Sequence, residues 1–235
     1  MEVILYILVA VCLIFGVLKA HSRSKGNADF ELIAKTCGAL TFVCLGILAF
    51  YLSKPATENM SYGLAVIIAL VLGMLGDIFL CLDDANSHPN RKNLIQAIGV
   101  LFFFLGHICY MINMLTLEPL KLYLLPTLLV FPLIYVILCL TKVLTSGLAQ
   151  NILLAIYFLA LNIILVSAIN LIIIYGATAF TMLLLFASAL FISSDIVLGL
   201  SWFAPKAKLH KNHDYYIILS YFTAQCLFAL SVYFV

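Results

Sequence analysis

Two aspartates stand inside long apolar runs, where ionisable side chains are rare. Asp77 lies in the run Leu-Gly-Asp-Ile-Phe-Leu, and Asp195 lies in the run Ser-Ser-Asp-Ile-Val-Leu. An aspartate at the centre of a membrane helix costs roughly 2.5–3.5 kcal/mol, so such residues are kept for a functional site more often than for packing. Two carboxyl groups in one poorly solvated cavity favour a state in which one keeps its proton and the other ionises. The pair is therefore predicted to do acid/base chemistry; the alternative is that each aspartate only bonds a neighbouring helix.

Four more polar side chains lie in two other apolar segments, at spacings that place them on shared helix faces. His107 and Tyr110 are three residues apart, and Tyr221 and Gln225 are four residues apart. Residues at these spacings are neighbours on the surface of a helix. A single buried histidine is as often a neutral packing residue as a functional one, and both interpretations stay open for His107.

A weak internal repeat relates the two aspartates. Residues 72–82 align with residues 190–200 at an offset of 118, and five of the eleven positions are identical. The same offset places His107 opposite Gln225. The repeat predicts two parallel four-helix halves about an axis along the membrane normal, with the two aspartates facing each other across the centre.

The sequence lacks the common patterns for metal, phosphate and serine chemistry. The motifs G-x-S-x-G and H-E-x-x-H and the Walker loop are absent, and the seven cysteines form no C-x-x-C pair. The cysteines are interpreted as small packing residues. We therefore expect no cofactor, no metal site and no disulfide framework. The chemistry that remains is acid-catalysed addition of water, and the apolar surroundings favour a lipid substrate.

The elements that must position these residues are membrane helices. Hydrophobic residues make up 66% of the 235 residues, charged residues make up 9%, and the mean hydropathy is +1.21. Soluble domains carry roughly 25% charged residues, so a soluble enzyme, a disordered chain and a DNA-binding domain are excluded. The strands of an outer-membrane barrel alternate apolar and polar residues, whereas the apolar runs here are continuous. The composition predicts an all-α, polytopic transmembrane helix bundle that forms one domain over residues 1–235, with no nucleic-acid partner.

Eight segments are long and apolar enough to cross a bilayer, which takes about 20 residues as helix. They are predicted near residues 3–18, 30–52, 62–82, 94–115, 120–140, 148–174, 177–200 and 215–235. The fifth contains Pro119, Pro126 and Pro132, so we expect a kink there, with the freed carbonyls bonded by neighbouring helices. The pair Tyr175 and Gly176 predicts a tight turn between the sixth and seventh segments.

The basic residues predict the orientation of the bundle. Ten of the twelve lie on the side that the odd-numbered loops share, and Lys54 and Lys121 lie on the other side. Cytoplasmic loops are enriched in lysine and arginine, so both termini are predicted to lie outside the cytoplasm. Compact loops and the absence of a tail favour a bacterial plasma membrane, with the endoplasmic reticulum as the alternative.

Four short motifs resemble those of the YhhN-like lysoplasmalogenase family. They are G-D-x-x-L at residues 76–80, G-H-x-x-Y at 106–110, S-D-x-x-L at 194–198 and Y-x-x-A-Q at 221–225. Their order and spacing match from the third segment to the end of the chain, while the first two segments match only in hydropathy. One position departs from the pattern, because many relatives have tyrosine where this chain has Phe222.

The resemblance implies hydrolysis of the vinyl-ether bond of lysoplasmalogens, which gives a fatty aldehyde and a glycerophospho-ethanolamine or -choline. The expected partner is thus a lysophospholipid within the bilayer. Asp77 and Asp195 are the expected catalytic residues. One protonates the β-carbon of the vinyl ether, and the other, as a carboxylate, stabilises the oxocarbenium ion and activates water. Which aspartate does which stays open. The residues expected to orient substrate or water are His107, Tyr110, Ser194, Tyr221 and Gln225.

Two rival classes stay open beside the hydrolase. Small-solute or proton-coupled transporters also combine parallel repeats with central acids, although the prolines of the fifth segment have no counterpart in the first. An intramembrane aspartyl protease also uses two membrane aspartates. Its Gly-x-Gly-Asp signature is missing, because Met74 stands where the first glycine is needed.

Overall fold

The computed structural model describes residues 2–53, 57–84, 89–141, 148–204 and 209–235. These described residues form eight α-helices and no strand. The helices are α1 (Glu2–Ser24), α2 (Ala28–Ser53), α3 (Thr57–Asp84), α4 (Pro89–Leu117), α5 (Val130–Leu140), α6 (Leu148–Tyr175), α7 (Ala179–Phe203) and α8 (His213–Phe234). A 3₁₀ segment, Leu122–Leu129, precedes α5 and completes the fifth apolar span.

All eight predicted spans coincide with helical stretches long and apolar enough to cross a membrane, so the expected all-α, multi-pass architecture is confirmed. The helices extend beyond the predicted spans. For example, α1 continues past residue 18 to Ser24, and α4 begins at Pro89 rather than near residue 94. Hydropathy marks only the part that lies in hydrocarbon, whereas the intrahelical hydrogen bonds continue into polar residues.

Eight of the described helical stretches are long and apolar enough to cross a membrane, and an even number of crossings would place both termini on the same side. Which side this is stays a prediction. Four of the basic residues on which the predicted orientation rests lie outside the described residues; they are Lys54, Lys142, Lys206 and Lys208.

The fifth span is broken where its prolines predict a kink. Pro126 lies inside the 3₁₀ segment, and the α-helix begins only at Val130. Two asparagines of α6 bond the carbonyls of this region. Asn162 Nδ2 donates to the carbonyls of Thr127 and Leu128 at 3.1 and 2.9 Å. Asn170 Nδ2 donates to the carbonyl of Pro119 at 3.1 Å. The expected compensation by a neighbouring helix is therefore confirmed.

The connection between α6 and α7 is a tight turn, as predicted. Gly176 has a φ of +76°, a left-handed conformation that favours glycine. Thr178 then caps α7, because its hydroxyl accepts from the backbone N–H of Thr181 while the Thr181 hydroxyl accepts from the backbone N–H of Thr178. This reciprocal capping satisfies two backbone donors at the start of the helix.

The helices pack in a pattern that two parallel halves would give. In the first half α3 packs against α4, and in the second half α7 packs against α8. Between the halves α2 packs against α8, and α6 packs against α4. The fifth span departs from this symmetry. Within the described residues α5 contacts α6 and the 3₁₀ segment alone, whereas α1, its counterpart, contacts both α2 and α8.

Glycines let α3 and α4 approach closely beside Asp77. A Cβ at Gly76 would lie 2.7 Å from the ring of Phe103 and 3.1 Å from the carbonyl oxygen of Gly99. Real side-chain carbons essentially never come this close to a neighbour. The backbones of α3 and α4 therefore meet at the level of Asp77, and this contact fixes the helix that carries the first aspartate against the helix that carries His107.

Candidate active site

Asp77 forms a buried ion pair that the sequence did not predict. The Lys35 Nζ atom of α2 lies 3.1 Å from Asp77 Oδ1, and the exposed fraction of Asp77 is 1%. Lys35 lies within α2, inside the predicted second span, and is buried. A lysine at this depth is stable only when its charge is paired, and Asp77 provides the partner.

A line of hydrogen bonds runs from Asp77 across the bundle. The Tyr221 hydroxyl donates to Asp77 Oδ2 at 2.9 Å and accepts from Gln225 Nε2 at 3.2 Å. Gln225 Oε1 in turn accepts from the Tyr110 hydroxyl at 2.8 Å. All four side chains are buried. Three of the residues predicted to orient substrate or water are thus joined to the first aspartate. We call Lys35, Asp77, Tyr221, Gln225 and Tyr110 the Asp77 cluster.

A glycine and an aromatic ring hold this line in place. A Cβ at Gly73, one turn before Asp77, would lie 2.7 Å from Gln225 Nε2 and 3.3 Å from the Tyr221 hydroxyl oxygen. The amide of Gln225 therefore occupies the space that the missing side chain leaves. On the other side the Tyr110 ring stacks on Phe228, with ring centroids 4.1 Å apart. The side chains of the Asp77 cluster have little room to move.

Asp195 lies in a different environment. Its Oδ2 atom accepts from the Tyr157 hydroxyl of α6 at 2.7 Å. Among the described residues no lysine or arginine forms an ion pair with it, and the nearest basic atom is His107 Nε2 at 3.9 Å. That distance is too long for a hydrogen bond. The exposed fraction of Asp195 is 9%, compared with 1% for Asp77. We call Asp195, Tyr157 and His107 the Asp195 cluster.

His107 is held by aromatic rings rather than by hydrogen bonds. Its ring lies edge-on to Tyr157 and to Phe191, with centroid distances of 4.8 and 4.7 Å. Neither ring nitrogen has a hydrogen-bond partner among the described residues, although the side chain is buried. Buried polar atoms are hydrogen-bonded in the great majority of cases. The imidazole therefore keeps donor and acceptor capacity for a small polar molecule beside Asp195.

The two clusters are neighbours, but the two carboxyl groups do not pair with each other. The Phe191 ring links the clusters, because it contacts both His107 and Tyr221, the latter with ring centroids 5.4 Å apart. No hydrogen bond joins Asp77 to Asp195, and each accepts one from its own tyrosine. That the two aspartates face each other across the centre stays a prediction.

Both clusters lie toward the same end of the bundle. Asp77 is about 10 Å from the end of α3 and Asp195 about 12 Å from the end of α7, at 1.5 Å per residue. A network of charges covers this end above the Asp77 cluster. Glu31 pairs with Lys19 and Arg23 at 3.1 and 3.2 Å, and Arg23 also pairs with Asp214 at 3.2 Å. These pairs join the ends of α1, α2 and α8. Lys19 is buried within α1, toward the end of that helix.

Ser194 is the one predicted site residue that the structure places outside both clusters. Its hydroxyl donates to the carbonyl of Ile217 at 3.0 Å and so joins α7 to α8. Conversely, Lys35 and Tyr157 belong to the clusters but were not among the predicted site residues. Lys35 carried a signal, because it falls inside the predicted second span. Tyr157 could not be recognised from the sequence, because a tyrosine in an apolar helix is common.

The donor set of the clusters suits proton transfer. Across the described residues there is no group of three or more His, Cys, Asp or Glu side chains that is able to hold a metal ion. The atoms available to a bound molecule are the carboxyl group of Asp195, the hydroxyl of Tyr157 and the two ring nitrogens of His107. A carboxyl group without a paired cation, beside an imidazole with free hydrogen-bonding capacity, is able to donate a proton and to hold a water molecule.

Comparison with known proteins gives one match. A sequence model of the YhhN family matches residues 30–232. Searches of curated proteins and of solved structures find no significant match. The match covers most of the chain and begins within α2, so the resemblance is not confined to the third span and beyond. It includes Lys35 as well as all the residues of both clusters.

Proposed function

Because this chain belongs to the YhhN family, we propose that it hydrolyses the vinyl-ether bond of lysoplasmalogens within the membrane. The products are a fatty aldehyde and a glycerophospho-ethanolamine or -choline. The observation that carries the proposal is Asp195, a carboxyl group with a hydrogen-bond donor and no cationic partner among the described residues. It lies next to the imidazole of His107, which has no hydrogen bond within the same part of the chain. Cleavage of a vinyl ether needs a proton donor and a water molecule, and this arrangement offers a place for both.

In the first step Asp195 acts as the acid. The Tyr157 hydroxyl bonds Oδ2, which leaves Oδ1 to carry the proton. Oδ1 gives this proton to the β-carbon of the vinyl ether, so a C–H bond forms as the carbon–carbon π bond breaks. The positive charge then lies on the oxocarbenium ion, beside the new Asp195 carboxylate. The Tyr157 hydroxyl stabilises that carboxylate through a charge-assisted hydrogen bond.

In the second step water adds to the oxocarbenium carbon. His107 holds the water through a ring nitrogen, and Asp195 accepts the proton that the water loses as the carbon–oxygen bond forms. The resulting hemiacetal breaks its bond to the glycerol oxygen as its hydroxyl group loses a proton and becomes the aldehyde carbonyl. The glycerol oxygen takes up one proton in exchange, so the collapse of the hemiacetal leaves the proton count unchanged. One water is consumed and Asp195 ends protonated, as it began, so a single carboxyl group serves as acid and then as base.

We assign Asp77 a positioning role. Both of its oxygens are engaged, Oδ1 by Lys35 and Oδ2 by Tyr221, and it is more deeply buried than Asp195. A carboxylate bound to a cation is a poor proton donor. Its contribution is to fix Tyr221, whose ring packs against Phe191 and thereby against the wall of the Asp195 cluster.

Aldehyde release tests the proposal. Purified protein in detergent is given lysoplasmenylethanolamine, and the fatty aldehyde is measured for the natural chain and for Asp195→Asn. The matched control is Ser193→Ala, two residues away, whose hydroxyl only bonds the Leu190 carbonyl of its own helix. We expect release by the natural chain and by the control, and a loss of about 10³-fold or more in Asp195→Asn.

Two outcomes contradict the proposal. Near-normal release by folded Asp195→Asn would remove this residue from the chemistry. No release by the folded natural chain, across several pH values and both headgroups, would overturn the hydrolase. That second result would favour the transporter class, in which the buried Lys35–Asp77 pair is a candidate proton carrier.

A further inference from the structure

An apolar cavity lies beside the Asp195 cluster, between α5, α6 and α7. Its volume is about 150 Å³. The residues that line it include Tyr135, Leu138, Phe158, Ile196, Gly199 and Phe203. Its walls are hydrocarbon, and the hydroxyl of Tyr135 donates to Asn151 Oδ1 at 3.0 Å. An engineered apolar cavity of similar size stays dry and binds benzene. The cavity therefore suits a short apolar segment and offers nothing to a charged headgroup.

The cavity lies next to the candidate active site along two helices. Phe158, in its wall, follows Tyr157, and Ile196, also in its wall, follows Asp195. The Phe158 and Tyr157 rings are in edge contact, with centroids 6.0 Å apart. On both α6 and α7, the wall of the cavity and the hydrogen-bonded pair are therefore formed by neighbouring residues.

The cavity fills a gap on the bilayer side of the bundle. In the part of the chain that the structure describes, α5 packs against α6 and not against α7, yet both α5 and α7 line the cavity. The outer face of α5 is apolar and exposed at Leu133, Val136 and Ile137. The space between α5 and α7 therefore opens toward the hydrocarbon of the membrane.

We propose that this cavity binds the hydrocarbon chain of a single-chain lipid and guides it to Asp195 from the bilayer. The inference rests on the proposed function, because it names the place where the alkenyl chain of that substrate lies. A chain that enters between α5 and α7 reaches the Tyr157–Asp195 pair without crossing the polar end of the bundle. The apolar lining of the cavity suits a hydrocarbon chain.

Gly199 lies in the wall of the cavity, and its lack of a side chain leaves part of the cavity volume free. A Cβ at this position would lie 3.8 Å from Phe158 Cζ, which is an ordinary van der Waals contact. A larger side chain would fill the cavity and exclude the chain. Gly199→Phe is therefore the direct test, and Leu138→Trp, which fills the cavity from α5, is the second variant in case the first does not fold. The control is Ala10→Phe, because Ala10 is exposed on α1, which does not contact α5, α6 or α7.

Photolabelling tests occupancy independently of catalysis. The probe is an alkyl-ether lysophosphoethanolamine with a diazirine in its chain, which has no vinyl ether to cleave. In vesicles of two-chain phospholipid, we expect labels to concentrate on the cavity residues of α5, α6 and α7. We expect competition by excess unlabelled single-chain lipid, and a fall of about tenfold in Gly199→Phe or Leu138→Trp but not in Ala10→Phe. Labels spread evenly over the lipid-facing helices, unchanged by both cavity variants, would overturn the inference.

Chain-length dependence provides the second measurement. With alkenyl lysolipids of long and short chain, the cavity variants are expected to lower the ratio of long-chain to short-chain kcat/KM by about tenfold, mainly through KM. An unchanged ratio in an active protein would overturn the chain site while the proposed function stands. Specific labelling of the cavity in a protein that releases no aldehyde would support the chain site while the proposed function falls.

Discussion

The two aspartates occupy related positions in the two halves of the bundle, but their surroundings differ. In the first half α2 supplies a lysine to Asp77, and in the second half α6 supplies a tyrosine to Asp195. The offset of 118 that aligns the aspartates places Lys35 opposite Leu153, one turn before Tyr157. The partner of each aspartate thus comes from a corresponding helix and a similar level. The same arrangement of helices therefore gives Asp77 an ion pair with a lysine, whereas Asp195 has no lysine or arginine partner among the described residues.

Helices α8 and α4, which carry Gln225 and His107, show the same contrast between the two clusters. The offset places Gln225 of α8 opposite His107 of α4. Gln225 donates to Tyr221 and accepts from Tyr110, whereas neither ring nitrogen of His107 has a partner among the described residues. The Asp77 cluster is a closed unit joined by hydrogen bonds and by the Lys35 ion pair, and the Asp195 cluster keeps groups for another molecule.

The largest effect that separates the clusters is expected from removing each carboxyl group in turn. Asp195→Asn should lower kcat by about 10³- to 10⁴-fold, because the proton donor is lost. Asp77→Asn should lower it by no more than about 10²-fold, because it displaces groups that only position the site. Aldehyde release per folded molecule, normalised by size-exclusion chromatography, measures both. If Asp77→Asn lowers kcat more than Asp195→Asn does, then Asp77 is the acid and the assigned roles of the two clusters are wrong.

The second prediction concerns stability and the buried ion pair. Lys35→Met leaves the Asp77 carboxyl group without its cation and should lower the free energy of unfolding by about 3–5 kcal/mol. Adding Asp77→Asn removes the unpaired charge, so the double variant should be less destabilised than the sum of the single variants by about 2–3 kcal/mol. Denaturant unfolding in mixed detergent micelles measures this cycle.

Lys121→Met is the control for that cycle. Lys121 is an exposed lysine whose Nζ lies 3.4 Å from Glu118 Oε1, and such surface pairs contribute about 0–1 kcal/mol. Two results would show that the stability of the first half does not depend on the ion pair. One is that the losses of unfolding free energy in Lys35→Met and Asp77→Asn add in the double variant. The other is that Lys35→Met loses no more than Lys121→Met.

Lys35 also shows where sequence-based prediction succeeds and where it fails. Eight helices follow from hydropathy alone, because continuous apolar runs must satisfy their backbone within the helix. The predicted second span, residues 30–52, already enclosed Lys35, but the count of basic residues placed it on the side that the odd-numbered loops share. The partner of a buried charge lies on another helix, and one sequence gives no distance between helices. The Lys35–Asp77 pair therefore required the packed structure.

The site residues also divide into those that could be identified from the sequence and those that required the packed structure. Asp77, Asp195 and His107 were identifiable because ionisable residues are costly in apolar segments. Tyr110, Tyr221 and Gln225 followed from helix spacing, and the structure joins them by hydrogen bonds. Ser194 precedes Asp195 in the S-D-x-x-L motif, but consecutive helix residues point in different directions, and its hydroxyl bonds α8.

The third prediction compares the two tyrosines that bond the carboxyl groups. Tyr157→Phe should lower kcat by about 10-fold, because the carboxylate left after proton donation loses a bond of about 1.5 kcal/mol. Tyr221→Phe should act mainly on stability, with a loss of about 1–3 kcal/mol, since the amide of Gln225 also loses its acceptor. Kinetics and unfolding, measured on both variants, show which tyrosine serves which role.

Tyr175→Phe provides the baseline for these two variants. Its hydroxyl donates to Glu118 Oε2 at an exposed site, so its loss should change the free energy of unfolding by less than about 0.5 kcal/mol. Equal effects of Tyr157→Phe and Tyr221→Phe on kcat would remove the functional difference between the clusters.

The smallest expected effect tests how tightly the Asp77 cluster is packed. Gly73→Ala places a Cβ 2.7 Å from Gln225 Nε2, so the amide must move and its hydrogen bond to Tyr221 weakens. Weakening one buried hydrogen bond costs about 1 kcal/mol. Gly199→Ala, in the second half, meets only Phe158 at 3.8 Å and should keep or slightly raise the free energy of unfolding, because alanine favours helix over glycine. Unfolding of the two variants side by side measures the difference. If Gly73→Ala is as stable as Gly199→Ala, then Gln225 has room to move, and the Asp77 cluster is not the closed unit that distinguishes it from the Asp195 cluster.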